Sequence, residues 1–239
     1  MQHKPERAGK SALEMAKKRR QSGLIIGIVG IGIILVIGFL LQNSKAFGIG
    51  GVGVLILLLG LRILPDFLEV RMDKKFKEVK RAIRGSEAEE KIGELLADLS
   101  EDYCVLHDVK SPHGNIDHIV IGKNNGIFLI ETKAHGGRVE VNGEMLLVNE
   151  KLPEKNFITQ ALQNSYWLRD ELAEIVGAKP WITPVIVFTN AYVAPSNPIK
   201  GVNIVNKKYL LPILQRQGRT NTLNTKIWEQ KEKISSRLL

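Results

Sequence analysis

The chain has 239 residues, 44% of them hydrophobic and 25% charged, which excludes a disordered or low-complexity polymer. A single cysteine, Cys104, excludes a disulfide framework and any zinc site built on paired thiolates, and it fits a reducing compartment. The net charge of +9 is unevenly placed: residues 1–84 hold 16 of the 34 Lys and Arg against 6 of the 25 Asp and Glu, leaving 18 against 19 in residues 85–239. The basic balance therefore belongs to the N-terminal third and says nothing of a nucleic-acid surface elsewhere.

Residues 1–22 form a basic segment, followed over 23–41 by 19 consecutive uncharged residues. As a helix they span about 28 Å, the thickness of a bilayer core. A second apolar stretch covers 46–64, broken only by Arg62, which lies near enough to its end to snorkel. The first stretch is too long for the apolar region of a signal peptide and is followed at once by the second. The pattern predicts a transmembrane helical hairpin turned by Gln42, Asn43, Ser44 and Lys45. Lys4, Arg7, Lys10, Lys17, Lys18, Arg19 and Arg20 precede it, and Arg71, Lys74, Lys75, Lys77, Lys80, Arg81 and Arg84 follow it. By the positive-inside rule both termini and the remainder of the chain are cytoplasmic, on a multi-pass protein of the cell membrane. Glycines 23, 27, 30, 48, 51 and 53 permit close helix contact or simply face lipid.

After Pro65, the spacing of Leu68, Met72, Phe76, Val79 and Ile83 predicts a basic amphipathic helix over 65–84. It either lies along an anionic leaflet or is a solvated linker. A further helix opens at Gly85, with Ala88, Ile92, Leu95, Leu96 and Leu99 on one face. Strands are predicted at 103–109, 116–121 and 127–132, the last after the turn Asn124-Asn125-Gly126, and shorter ones at 138–141 and 145–148 flank Asn142-Gly143. A helix over 156–176 ends at Gly177, and 183–188 is a buried strand. This order predicts a mixed-sheet α/β domain over 85–200, with a strand and helices over 201–239.

The informative positions are Asp117 and Glu131-Thr132-Lys133. Strand alternation places Glu131 and Lys133 on one face, where an apolar strand ends. If Asp117 on the neighbouring strand faces the same way, two carboxylates converge on a site for a hard cation such as Mg²⁺ (or Mn²⁺), with an amine beside it.

These residues, in this order of strands, resemble the PD-(D/E)xK nuclease superfamily, and more closely its nuclease-related domain, NERD. The resemblance runs from about Gly85 to Phe188. It takes in Gly85 and Glu89 of an opening Gly-x-x-Gly-Glu pattern, with Ala88 in place of the second glycine, and Asp117-His118-Ile119-Val120. It continues through residues 126–133, Gly137 with Val139, and Gln160-Ala161. It implies a restriction-endonuclease-like fold and metal-dependent hydrolysis of phosphodiester bonds, in DNA or alternatively RNA. Carried to this chain, Asp117, Glu131 and the Thr132 carbonyl would ligate Mg²⁺, and Lys133 would position or deprotonate the attacking water. Glu89 would be an additional ligand, and Gln160 would orient the site. The competing function is a catalytically inactive binding or scaffolding module of the same fold.

Each assignment has a plainer alternative. Ser86-x-x-Glu89 reads equally as a capping box, Gln160 as a solvated helix residue, and Glu131 with Lys133 as a same-face ion pair. Four of the five histidines, His107, His113, His118 and His135, fall within one stretch. Their spacing fits no metal cluster, and His113 and His135 read as solvated loop residues. Cys104 reads as a core residue, and Gly136-Gly137 as a tight turn. Lys207, Lys208, Arg216, Arg219, Lys226, Lys231 and Lys233, with Trp228 among them, read as solvated helix surface. Oligomeric state is not legible.

Overall fold

The computed structural model describes residues 10–46, 48, 50–216 and 222–239. Lys4, Arg7 and Arg219, among the cations noted above, lie outside them. The chain divides into two compact units, Ala12–Ile83 and Arg84–Leu239.

The first unit consists of helix α1 (Lys10–Gln42) and most of helix α2 (Gly51–Ala97). They run antiparallel, because Gly23 faces Lys75, Gly27 faces Met72, Gly30 faces Leu68 and Gly60 faces Ile37. A Cβ on Gly30 would collide with the Leu68 side chain, so this glycine sets how closely the helices approach. Both helices are long and apolar enough to cross a membrane, and their large side chains point outward, Ile28 at 69% and Val52 at 74% exposure.

Three expectations are corrected here. The second helix begins at Gly51 rather than at residue 46. Pro65 and Gly85 both lie inside α2, so the helix expected over 65–84 and the one expected to open at Gly85 are one continuous helix with the second apolar stretch. An interior proline deletes one backbone hydrogen bond and glycine costs about 1 kcal/mol against alanine. The strong helix formers on either side outweigh both penalties. Ser86 is therefore mid-helix, and the capping-box reading fails.

The second unit is a six-stranded sheet of β1 (Tyr103–Ser111), β2 (Gly114–Gly122), β3 (Gly126–Asn142), β4 (Met145–Val148), β5 (Ile182–Val193) and β6 (Asn203–Asn206). The order is β1-β2-β3-β5-β6, with β4 paired to the far half of β3. The first three strands are antiparallel, whereas β3, β5 and β6 run parallel. Helices cover both faces, as the mixed α/β expectation requires. On one face Leu106, Ile119 and Leu129 pack on Leu168 and Leu172 of α3 (Phe157–Val176) and on Ile227 and Ile234. Those last two belong to α5 (Thr222–Glu229) and α6 (Lys231–Leu238). On the other face Val120, Phe128 and Ile130 meet Ile92 and Leu96 at the end of α2, and Leu210 and Leu214 of α4 (Leu210–Leu214).

Helix α3 is placed firmly at both ends. Asn156 Oδ1 accepts from the Thr159 N–H at 3.0 Å, and Gly177 closes the other end in the left-handed conformation, φ 79°. The two strands expected at 127–132 and 138–141 are one long strand, interrupted between Lys133 and Gly136 by a shift in register with β5. Gly136-Gly137 follows that irregularity and pairs with Asn190 and Ala191, so it is part of the strand, not a turn. Asn149 holds it, its amide accepting from the Arg138 N–H at 2.9 Å and donating to the Gly136 carbonyl at 3.3 Å. Gly137, at φ 88°, has no room for a Cβ against that amide.

Candidate active site

The backbone pairing of β2 with β3 stops at His118 and Ile130. One residue beyond, where the two strands would next pair, Asp117 Oδ2 accepts the Thr132 N–H at 2.6 Å. A carboxylate thus replaces the next rung of the ladder and opens a polar gap at the end of two apolar strands. Simple alternation fails through this stretch. Ile116 and Ile119 lie in the same core cluster, so the β2 faces switch between them, which leaves Asp117 at the seam.

On β3 alternation holds. Glu131, 1% exposed, and Lys133 face α3, with Lys133 Nζ 3.3 Å from Glu131 Oε2. The ammonium also donates to Gln160 Oε1 at 3.4 Å and lies 4.8 Å from the centre of the Phe157 ring, so three contacts fix its position. Gln160 is half-buried and turned to the site, not solvated. Glu89, on α2, approaches closely enough for its charge to be felt by Asp117. The geometry brings together Asp117, Glu131, Lys133 and Gln160, and the charge of Glu89 acts on Asp117.

Electrostatics mark the same cluster. Burial, then the charges of Glu131 and Glu89, push the Asp117 carboxyl well above its usual range, against the opposing pull of Lys133 and the Thr132 N–H. Burial, then Asp108, raise Glu89 to about 7, Lys133 opposing and Glu131 adding to the rise. Three carboxylates share one lysine, and the uncompensated negative charge suits a divalent cation. Among the described residues no three His, Cys, Asp or Glu side chains close around one point as a metal cage. Mg²⁺ seldom needs such a cage, since one or two carboxylates with water complete its shell. The oxygen donors of Asp117 and Glu131 fit that requirement, with Glu89 nearby.

Two residues unremarked in the sequence belong to the site. Asn164, fully buried on α3, donates to Glu131 Oε1 at 3.0 Å, and Ser111 at the end of β1 reaches Asn164 Oδ1 at 2.7 Å. Asn164 lies one helical turn after Gln160, a spacing that places both on one side of α3.

The histidines divide. His107 and His118 form a buried pair with their Nδ1 atoms 2.8 Å apart, and burial drives His118 well below the usual imidazole value. His113 is exposed on the β1–β2 hairpin. His135 is also exposed but lies in β3, not in a loop, its ring 5.4 Å from that of Phe157. Cys104 is buried and its thiol is pushed up by that burial. A separate groove of about 450 Å³ is lined by Leu162, Tyr166, Arg169, Trp181, Pro184 and Lys200. Its Arg169 and Lys200 are paired with Asp170 and Glu144, and it shares no residue with the carboxylate cluster.

Residues 84–189 match the model of the nuclease-related domain, a span that contains all five clustered side chains. No match is found among curated proteins or among solved structures.

Proposed function

For a chain that carries a nuclease-related domain over residues 84–189, we propose metal-dependent hydrolysis of phosphodiester bonds, in DNA first and RNA as the alternative. The observation that carries this reading is the convergence of Asp117, Glu131 and Lys133 where β2 and β3 separate. Mg²⁺ or Mn²⁺ bound there would supply Lewis-acid polarisation of a phosphate and activation of water. Asp117 and Glu131 would hold it, with the Thr132 carbonyl and Glu89 as further oxygen donors. Lys133, held by Glu131 and Gln160, presents its ammonium to the attacking water and to charge developing on the phosphoryl oxygens. Glu89, with a value of about 7, can give or accept a proton at neutral pH.

The same proposal places the domain at the cytoplasmic face of a membrane. Two outward-facing apolar helices support the anchor, and the Lys and Arg flanking their distal ends support the orientation. Reporter fusions at Leu239 and within residues 43–46 test the orientation.

The near-neutral balance of residues 85–239, 18 basic against 19 acidic side chains, favours a second reading, a binding or scaffolding module without activity. The deciding experiment is cleavage of labelled single- and double-stranded DNA and RNA by the full-length chain in detergent micelles. It is run with Mg²⁺ or Mn²⁺ against EDTA and Lys133→Ala controls. Metal-dependent cleavage lost in the Lys133→Ala chain supports the nuclease, and no cleavage by folded protein transfers the weight to the binding module.

A further inference from the structure

Glu131 is the most enclosed carboxylate of the cluster, at 1% exposure, and both of its oxygens are engaged. Oε2 faces Lys133 Nζ and Oε1 accepts from Asn164 Nδ2 at 3.0 Å. Lys133 carries a charge that the proposed reaction directs toward the phosphate. Asn164 is different: it has no exposure at all, it carries no charge, and its side chain spans the distance from β3 to the β1–β2 hairpin.

The orientation of its amide is dictated by its two neighbours. Glu131 offers only acceptors when ionised, so Nδ2 must point to it; a reversed amide would set oxygen against oxygen. The amide oxygen must then find a donor, and the Ser111 hydroxyl lies 2.7 Å away. Ser111 is itself fixed by the hairpin, accepting from the His113 N–H at 3.1 Å and lying 2.6 Å from the Gly114 carbonyl. A chain of hydrogen bonds therefore runs from the exposed hairpin tip through a buried amide to one oxygen of Glu131.

We propose that Asn164, oriented by Ser111, is the positioning residue that fixes the Glu131 carboxylate for a divalent cation. The proposal rests on the reading of Asp117 and Glu131 as metal-holding oxygens. Groups of this kind, one step behind a ligand, typically change metal affinity 10–100-fold when removed. Asn164→Ala frees Glu131 Oε1 to rotate, and Asn164→Asp sets a second carboxylate against it. Ser111→Ala removes, at a half-buried position, the hydroxyl that donates to the amide and accepts from the His113 N–H. Ser111→Thr keeps the hydroxyl.

The test is isothermal titration of Mn²⁺ alone into the full-length chain in micelles, with nucleic-acid cleavage measured in parallel. Asn164→Ala should weaken Mn²⁺ binding about tenfold and Asn164→Asp should weaken it as well. Ser111→Ala should move it in the same direction by less, and Ser111→Thr should restore the wild-type value. Folded Asn164→Ala and Ser111→Ala chains that bind Mn²⁺ as tightly as wild type overturn the proposal. A wild-type chain that binds Mn²⁺ but cleaves nothing refutes only the nuclease reading, since the affinity comparison still decides the role of Asn164. A wild-type chain that binds no Mn²⁺ overturns both.

Discussion

The cleanest test of the electrostatics is Glu89→Gln, which removes one negative charge and keeps the side-chain shape. Glu89 has a value of about 7 in the folded chain against the ordinary 4.5. A raised carboxyl value means that the folded state holds its proton more tightly than the unfolded state. Its contribution is therefore fully present below pH 4.5 and is lost as pH rises through about 7. At 1.36 kcal/mol per pH unit, the gap amounts to about 3 kcal/mol above pH 7, with about 2 kcal/mol of that falling between pH 5 and pH 7. For a unit of this size each kcal/mol moves the melting point by about 2–4 °C. Glu89→Gln should thus melt roughly 6–12 °C above wild type at pH 8 and close to wild type at pH 4. The direction is reinforced at Asp117, because Glu89 is one of the charges that raise it. All three tryptophans, Trp167, Trp181 and Trp228, lie in the sheet-bearing unit. Their fluorescence in a thermal scan of the full-length chain reports that unit alone. Equal melting points at pH 8, or a wild-type stability flat from pH 5 to pH 8, would refute the crowding of carboxylates.

Four further outcomes follow from the same geometry. Asp117→Asn and Asp117→Ala should both abolish cleavage. The Asn variant should be the more stable by about 1–3 kcal/mol, because its amide oxygen still accepts the Thr132 N–H that Ala leaves unpaired; chemical denaturation measures the difference. Mg²⁺ should raise the wild-type melting point at pH 8 and fail to raise that of Asp117→Asn, read by the same tryptophan fluorescence. Gly137→Ala should cost about 1–3 kcal/mol through its positive φ and the Asn149 amide behind it, again by denaturation. In the α1–α2 hairpin, cysteines introduced by Ile37→Cys and Gly60→Cys on a Cys104→Ala background should cross-link readily on oxidation. Adding Gly30→Leu, which drives a side chain into Leu68, should suppress that cross-link.

What the sequence reveals depends on whether a residue's neighbours are local. The hydrophobic runs that become β1, β2, β5 and α3 are legible because side-chain periodicity within each segment reports its buried face. Helix α3 is legible to its ends because Asn156 and Gly177 carry capping chemistry in the chain itself. The same local rules mislead where tertiary structure overrides them. Pro65, Gly85 and Ser86 each look like a boundary, yet the helix passes through all three. Gly136-Gly137 looks like a turn, but the partner that makes it part of a strand, Asn149, is about a dozen residues away and supplies two hydrogen bonds.

The candidate site divides along the same line. Glu131 and Lys133 meet because two residues apart on one strand is a local relation. The sequence ties Asp117 to them only on the condition that it faces the same way from the neighbouring strand. The structure reaches the same meeting by breaking that alternation, since Asp117 sits at a seam where its side chain, not its backbone, satisfies the Thr132 N–H. Asn164 and Ser111 are invisible to pattern because neither carries charge and their link spans 53 positions in the chain. Such residues are nevertheless the ones a buried carboxylate requires. Glu131 is 1% exposed, so both of its oxygens need a partner inside the protein, and beside Lys133 the second comes from an amide on the facing helix. A buried acid near a strand end in a chain of this type is therefore a reason to search the facing helix for an inward amide one turn from any polar residue already suspected.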